Sequence, residues 1–258
     1  MVNADPQQAW SERKARILTA YAERFCASLS LGTAVALVDG DAGPASYGEG
    51  RWQTPGAPVV VAEHVAALAA RSGRPMRSLS LADPGDAPDL SRALQPLGGL
   101  AGVRQGAWAE QGRELLGDLG GSAALVLLDT AAPVPIAGDL EHLARRLAKT
   151  EVLVRYSRPA VAALLAALDD EEQARAAEGR LNRLFGARSW RGVAEGASGE
   201  DERDRQLRDL YVQKLLEIGG GRFKWAAACP IRTSWGAIAY DLVFASPDRA
   251  AGPAMGDV

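Results

Sequence analysis

Short apolar runs that alternate with helical segments constrain the fold of this chain more than any other feature. Five such runs precede residue 157, at residues 33–38, 76–81, 100–104, 123–128 and 151–156. The segments between them space their apolar residues as amphipathic helices do, at residues 59–70, 87–97, 108–119 and 139–149. Strands that alternate with helices pair in parallel, so the sequence predicts an α/β fold built on a mainly parallel sheet.

The remaining segments extend this pattern at both ends. An amphipathic helix is predicted over residues 8–30, with Lys14 on its charged face. Residues 159–204 hold helical segments with no strand between them and are predicted to form an inserted cap. Residues 223–229 and 237–245 are predicted strands, and too few residues separate them for a helical crossover. They must therefore pair as an antiparallel hairpin.

Composition bounds the class of protein. A chain of 258 residues with 47% hydrophobic content can bury a large core, so residues 1–258 are predicted to form a single domain. The net charge of -3 offers no global positive field, which makes nucleic acid an unlikely partner. Two cysteines and two histidines are too few for a zinc or iron–sulfur site, so no metal is predicted.

Targeting signals are also missing from the sequence. No apolar run approaches the roughly 20 residues that cross a bilayer, and residues 1–8 have neither the basic lead nor the apolar centre of a signal peptide. The protein is therefore predicted to be cytoplasmic and not to use a membrane. The sequence leaves the oligomeric state open.

The first predicted strand stops at an acidic residue, Asp39, and continues as a segment rich in glycine and proline that reaches Gly50. Ligands of open parallel sheets bind beyond the carboxyl ends of the strands. Glycines such as Gly43 let the backbone approach a ligand, and the next helix begins with free N–H groups. The segment is therefore predicted to bind a ligand; the alternative is a strand-to-helix connection without one. The glycine patterns of dinucleotide and phosphate loops are absent.

Five strand–helix units followed by a helix and an antiparallel hairpin outline the seven-stranded sheet of S-adenosylmethionine (SAM)-dependent methyltransferases. The predicted fold is thus Rossmann-like, of the class I methyltransferase type. Short motifs in residues 14–255 also resemble the three-Cys-motif partner protein (TcmP) family, which is methyltransferase-like. The sequence VDGDAGPASYGEG at residues 38–50 is similar to the family's D-x-F-A-G-P-G-x-Y-x-x-G loop, and LLDTAA at residues 127–132 stands where the family has F-L-D-P-F-G. Further similarities lie at residues 14–18, 180–190 and 240–245.

The resemblance implies SAM as the cofactor, held across the ends of the first, second and fourth strands. The implied cofactor contacts are Asp39, Gly40, Ala42, Gly43, Asp83 and Ala107. The acid expected after the second strand, which would hold the ribose hydroxyls, is either shifted to Asp83 or lost at Ala82. Asp129 is the implied catalytic residue, because an acid there would accept a hydrogen bond from the target amine and orient its lone pair toward the methyl group. A carboxylate at a strand end without a catalytic duty is the alternative. Tyr47, Trp52 and Thr130 are candidate substrate contacts, although loop aromatics also fold onto the body of a protein.

The chain departs from the family's pattern at positions that the resemblance assigns to the cofactor and the acceptor. Asp41 and Ala45 replace an aromatic residue and the closing glycine of the loop. Ala107 replaces an acid of the kind that hydrogen-bonds the adenine amine, and Thr130 follows Asp129 where the family has proline. Ala45 places a side chain where the backbone would approach SAM most closely, which weakens cofactor binding but does not exclude it. The changes at 107 and 130 remove contacts that the resemblance assigns to the cofactor and the acceptor.

Two main hypotheses remain open. The first is a methyltransferase that transfers a methyl group from SAM to a nitrogen or oxygen acceptor, with a substrate pocket under the cap. The second is a catalytically inactive partner or scaffold protein of the same fold that no longer binds SAM productively. By the family's name, its partner would be a three-cysteine-motif radical-SAM-type protein. A pocket that now serves a different ligand is a third hypothesis.

Overall fold

The computed structural model describes residues 6–48, 50–130, 132–232 and 238–256. Two motif residues, Glu49 and Ala131, lie outside these ranges. The strands are β1 (Val35–Ala42), β2 (Ser46–Tyr47), β3 (Thr54–Pro55), β4 (Met76–Ala82), β5 (Ala101–Gln105), β6 (Ala123–Leu128), β7 (Thr150–Tyr156), β8 (Trp225–Arg232) and β9 (Ile238–Ser246). The helices are α1 (Pro6–Ala27), α2 (Ala57–Ser72), α3 (Ala87–Leu94), α4 (Trp108–Asp118), α5 (Glu141–Ala144), α6 (Arg158–Ala166), α7 (Ala174–Leu184), α8 (Trp190–Gly196), α9 (Glu200–Gly221) and α10 (Ala251–Gly256).

Seven strands form a sheet in the order β5-β4-β1-β6-β7-β9-β8. The pairs β4–β5, β1–β4 and β1–β6 are parallel, whereas β9 is antiparallel to β7 and β8. The strands β2 and β3 form a separate antiparallel pair. A parallel sheet that ends in an antiparallel hairpin confirms the predicted Rossmann-like class I methyltransferase fold.

The chain divides into two compact units. The first holds the described residues up to Leu127 and those from Pro253 onward, and the second is Leu128–Gly252. The single domain expected from the sequence stays a prediction. None of the helices in the described part of the chain is both long and apolar enough to cross a membrane.

In the first unit, α2 and α3 pack onto the ends of β1 and β4. The buried cluster between them includes Ala42, Val59 and Leu90. The prediction that β1 ends before Asp39 is wrong, because the backbone stays in the sheet for four residues more. Asp39 is in register with Ser80 of β4, and after an irregularity Ala42 is in register with the last residue of that strand. Residues 39–42, the first part of the glycine-rich segment, are therefore strand and not loop, and all of them except Asp41 are buried.

In the second unit, one predicted helix is much shorter than expected. Residues 139–149 have helical spacing, but the only α-helix there is the four-residue α5. The preceding turn is interrupted at Gly138, whose φ is 92°, and Gly219 approaches the other end of α5 so closely that an added Cβ would lie 2.7 Å from the Cβ of Ala144. The predicted cap region, residues 159–204, contains most of α6, then α7, α8 and the start of α9.

Candidate ligand-binding site

Three residues that follow neighbouring strands lie together at the carboxyl edge of the sheet in the first unit. Gly43, Asp83 and Gly106 come directly after β1, β4 and β5. Ala82, the last residue of β4, is in register with Ala42 of β1, and its carbonyl accepts a hydrogen bond from Gly106 N at 3.0 Å. We call Gly43, Asp83 and Gly106 the strand-end row. Two of the predicted cofactor contacts, Gly43 and Asp83, are thus brought to one edge, and the Asp83 side chain is exposed there.

The residue beside this row, Ala107, is the N-cap of α4. Its conformation is extended and its methyl group cannot cap the helix, so the first N–H groups of α4 have no side-chain acceptor from it. Gly106 has a φ of 127°, and a Cβ there would lie 2.9 Å from Cγ of Gln111. The backbone of this turn is therefore suited to glycine, while the acid that the resemblance places at 107 is missing.

Asp39 is not exposed at the edge but buried within β1, with 5% of its surface exposed. Its Oδ1 lies 2.9 Å from Nζ of Lys14, and the same ammonium donates to the carbonyl of Asp41 at 2.9 Å. Lys14 is itself only 4% exposed, so its predicted place on the solvent face of α1 is wrong. A lysine can be buried in this way because a carboxylate and a carbonyl satisfy its charge and its protons. Sequence spacing alone could not identify this partner, which is 25 residues away.

Two further predicted contacts, Gly40 and Ala42, are also buried in β1. Ala42 packs in the apolar cluster with α2 and α3. Their placement in an open loop is therefore wrong, and their role as cofactor contacts stays a prediction.

The first N–H groups of α2 are already used. The N–H of Ala57 donates to Oγ of Ser11 in α1 at 2.8 Å, Pro58 has no N–H, and the next two N–H groups donate to the carbonyl of Gly56. The expectation that this helix begins with free N–H groups is therefore wrong. The signal that was missed is a serine in the preceding helix, three residues before Lys14.

The segment between β1 and α2 is closed at its base. Gly56 N donates to the carbonyl of Ala45 at 2.8 Å, and a Cβ on Gly56 would lie 2.0 Å from the carbonyl oxygen of Pro44. Tyr47 folds back over the segment, since a Cβ on Gly43 would lie 3.2 Å from its hydroxyl. Trp52, in contrast, is 74% exposed.

Described residues of this segment line two cavities. One of about 10 Å³ lies beside Asp39 and is also lined by Ser78 and Ser80; the Oδ2 of Asp39 is buried and has no hydrogen-bond partner among the described residues. A space of this size holds about one water molecule. The other cavity, of about 460 Å³, is an open groove between the β2–β3 hairpin and α3, lined by residues that include Gln53 and Arg92.

The predicted catalytic residue, Asp129, belongs to the second unit and directly follows β6. It is 6% exposed, and its Oδ1 lies 3.6 Å from Nη1 of Arg155. The guanidinium of Arg155 in turn lies 4.7 Å from the ring centre of Tyr240. Thr130 directs its hydroxyl to the carbonyl of Ala132 at 2.6 Å. Asp129 is thus paired with an arginine in β7, which in turn contacts a tyrosine in β9, and neither residue was among the predicted site residues.

A second acid of this unit, Asp241, is fully buried in β9. The sequence did not indicate that it binds two arginines. Arg158 binds it with two nitrogens, Nε at 2.6 Å from Oδ2 and Nη2 at 3.0 Å from Oδ1, and Arg208 Nη1 lies 3.7 Å from Oδ1. The hydrogen bond to Asp241 raises the pKa of Arg158. Burial raises the pKa of Asp204. The two hydrogen bonds from Arg158 thus fix the start of α6 to β9.

No group of three or more metal-ligating side chains occurs in the part of the chain that the structure describes. Each predicted site residue now has a position. In the first unit, Gly43 and exposed Asp83 lie in the strand-end row, whereas Asp39, Gly40 and Ala42 are buried in β1. In the second unit, Asp129 is paired with Arg155 and Thr130 bonds to the backbone.

Neither a protein-family model nor a curated protein matches this chain. Solved structures do match at low similarity. An O-methyltransferase from Bacillus cereus in complex with S-adenosylhomocysteine (SAH) is 13% identical, with 95% of this chain and 82% of that chain covered and a TM-score of 0.43. A putative O-methyltransferase from Klebsiella pneumoniae is 15% identical, with 95% and 91% covered and a TM-score of 0.42. A putative methyltransferase from Thermobifida fusca YX is 13% identical, with 93% and 83% covered and a TM-score of 0.41. Likenesses of this extent carry no information on ligand or reaction, and the fold assignment rests on the strand order.

Proposed function

We propose that this protein is a catalytically inactive partner protein with the methyltransferase fold, and that it does not bind SAM productively. The observation that carries this proposal is the ion pair between Lys14 and Asp39, at 2.9 Å and with both side chains at most 5% exposed. The resemblance assigns Asp39 to the cofactor. Here that carboxylate is neutralised from within the chain, and a described cavity that it lines has a volume of about 10 Å³.

The acceptor side supports the same proposal. A methyltransferase acid would need a free oxygen to accept the proton of an amine or hydroxyl and to orient its lone pair. Asp129 instead faces Arg155 at 3.6 Å. An acceptor at this position would have to compete with that guanidinium for the carboxylate of Asp129. Thr130 stands in place of the family's proline and directs its hydroxyl to the backbone.

The partner follows from the resemblance to the TcmP family. We propose a three-cysteine-motif radical-SAM-type protein as the binding partner and the cytoplasm as the compartment. Copurification of a tagged chain with such a protein encoded nearby is the corresponding measurement.

A second candidate function is methyl transfer from SAM to a nitrogen or oxygen acceptor. The strand-end row favours it, because Gly43 and the exposed Asp83 remain where a nucleoside would bind. In that case SAM itself would be the methyl donor. The residues present fit it only in part, since Ala107 has no acceptor for the adenine amine.

Calorimetric titration with SAM separates the two candidates. We expect no saturable heat below about 1 mM, which corresponds to a binding free energy weaker than about -4 kcal/mol. Saturable binding well below that concentration, together with conversion of SAM to SAH when acceptors are supplied, would overturn the proposal and favour the second candidate.

A further inference from the structure

A leucine in the second unit is almost completely exposed. Leu147 lies in the turn that joins α5 to β7, and 92% of its surface is exposed. A single exposed apolar side chain is common on protein surfaces and indicates no function by itself. The backbone that carries this leucine and the charges around it decide whether it forms part of an interaction surface.

The end of α9 fixes the backbone of this turn. Gly219 packs against the end of α5, and all three glycines at residues 219–221 have a positive φ, a conformation open to glycine. The next residue, Arg222, donates from Nη2 to the carbonyl of Arg146 at 2.7 Å and to that of Leu147 at 3.2 Å. The leucine is therefore presented from a preorganised backbone, so that little conformational entropy is lost when it is bound.

Exposed cations surround the leucine. Neither Arg222 nor Lys224 forms a salt bridge with any residue that the structure describes, and the hydrogen bonds of Arg222 are to uncharged carbonyls. Nζ of Lys224 lies 4.0 Å from the place that a Cβ on the residue before Arg222 would take. Arg145 is 71% exposed, and its Nη2 is 3.7 Å from Oε2 of Glu141, a contact of little strength at the surface. We call Arg145, Leu147, Arg222 and Lys224 the basic turn.

The shape and charge of the basic turn fit an anionic lipid surface better than a protein or a nucleic acid. A protruding leucine enters the boundary between headgroups and acyl chains without a matching pocket, while the basic side chains stay among anionic headgroups. A protein partner would need a recess shaped for the leucine with acids placed around it. A phosphate backbone would attract the cations but would leave the leucine without an apolar partner.

We propose that the basic turn attaches the protein to membrane surfaces that carry anionic phospholipids, with Leu147 inserted and its cations against the headgroups. The attachment is weak and reversible, because stable anchoring takes more apolar surface than one leucine provides. A surface attachment needs no membrane-spanning segment, so the prediction that the protein does not use a membrane does not hold under this proposal. The proposal goes beyond the proposed function and does not depend on it.

Cosedimentation with vesicles tests the attachment. One set of vesicles is phosphatidylcholine alone, and the other is equal parts of phosphatidylcholine and phosphatidylserine. We expect wild-type protein to bind the mixed vesicles at low salt, and to bind neither the neutral vesicles nor the mixed vesicles at high salt, because salt screens the attraction to the headgroups.

Two variants separate the apolar and the charged contributions. Leu147→Asp should weaken binding to the mixed vesicles about tenfold or more, because the inserted apolar surface is lost. Lys224→Glu should weaken it about fivefold or more, since each basic residue near an anionic surface contributes about that factor. Both side chains are exposed, so the urea midpoints of the two variants should match that of wild type.

Arg183→Glu is the matched control, because it reverses an exposed charge on α7 of the same unit and changes the net charge as much as Lys224→Glu does. It should bind the mixed vesicles as wild type does. The proposal is overturned if wild-type protein does not bind them, if Leu147→Asp or Lys224→Glu binds them as tightly as wild type, or if Arg183→Glu weakens binding as much as Lys224→Glu.

Poly-glutamate serves as the probe for an acidic protein surface. Saturable binding of poly-glutamate that Leu147→Asp and Lys224→Glu both abolish, without any binding to vesicles, would assign the basic turn to a protein partner and would also overturn the proposal. SAM takes no part in these measurements, so the proposed function stands or fails on its own titration.

Discussion

Replacing Lys14 by methionine tests the most consequential contact of the first unit. Methionine keeps much of the length and apolar surface of lysine but removes the ammonium that pairs with Asp39 and the carbonyl of Asp41. Because Asp39 is 5% exposed, its carboxylate cannot turn to solvent in the folded chain. The substitution therefore leaves a buried charge with no compensating cation.

The expected size follows from that burial. Removing one partner of a buried ion pair costs about 3–5 kcal/mol, whereas replacing both partners by apolar residues is often neutral. We therefore expect Lys14→Met to lower the free energy of unfolding by about 3–5 kcal/mol. The double variant Lys14→Met with Asp39→Leu should recover most of this loss. Arg13→Met, on the exposed face of the same helix, should stay within about 0.5 kcal/mol of wild type.

Urea denaturation at neutral pH measures wild type, Lys14→Met, Asp39→Leu, the double variant and Arg13→Met, with the slope of free energy against urea compared between them. Equal slopes allow the midpoints to be converted into free-energy differences. The reasoning would be refuted by a Lys14→Met variant as stable as Arg13→Met. It would also be refuted if the double variant lost as much stability as the two single substitutions added together, since the residues would then not be coupled.

Three further substitutions have expected outcomes. Ala107→Asp should stabilise the chain by about 0.5–2 kcal/mol, because an aspartate at this N-cap accepts an N–H of α4. Thermal unfolding measures the gain. A melting temperature below that of wild type would contradict the assignment of Ala107 as the N-cap. Asp204→Asn should gain stability relative to wild type as the pH rises from about 4 to 7, because burial raises the pKa of Asp204 and ionisation there opposes folding. If the urea midpoints of the variant and of wild type change in parallel across this range, the effect is excluded. Arg158→Met should lower the free energy of unfolding by about 3 kcal/mol, since it removes both hydrogen bonds to buried Asp241 while Arg208 remains at 3.7 Å. A loss below about 1 kcal/mol would show that the pair of Arg158 and Asp241 is dispensable.

The fold could be predicted from the sequence because its strands are short apolar runs with sharp ends. Residues 123–128 were predicted as a strand, and β6 has those bounds. The antiparallel hairpin followed from the short distance between two strands, and β8 pairs with β9 as expected. Helix 139–149 could not be predicted correctly, because the positive φ of Gly138 and the close approach of Gly219 are tertiary effects.

The candidate site was less predictable because its decisive contacts are long-range. The row of Gly43 and Asp83 could be predicted, since the ends of parallel strands meet at one edge. The pairing of Lys14 with Asp39 could not, because helical periodicity places a lysine on the solvent face whenever its partner is unknown. Arg155, a basic residue near the end of β7, was a sequence signal that Asp129 has a partner.

The closed base of the segment between β1 and α2 has a consequence for protein engineering. Gly56 N is bound to the carbonyl of Ala45, and the register pairs Ser46 with Pro55 and Tyr47 with Thr54 continue that closure outward. The ends of the hairpin are thus fixed independently of its tip, and lengthening a loop between fixed ends costs only about 0.6 kcal/mol for each doubling of length. Residues 48–53 should therefore accept an inserted peptide or a reporter domain while the neighbouring strands keep their places.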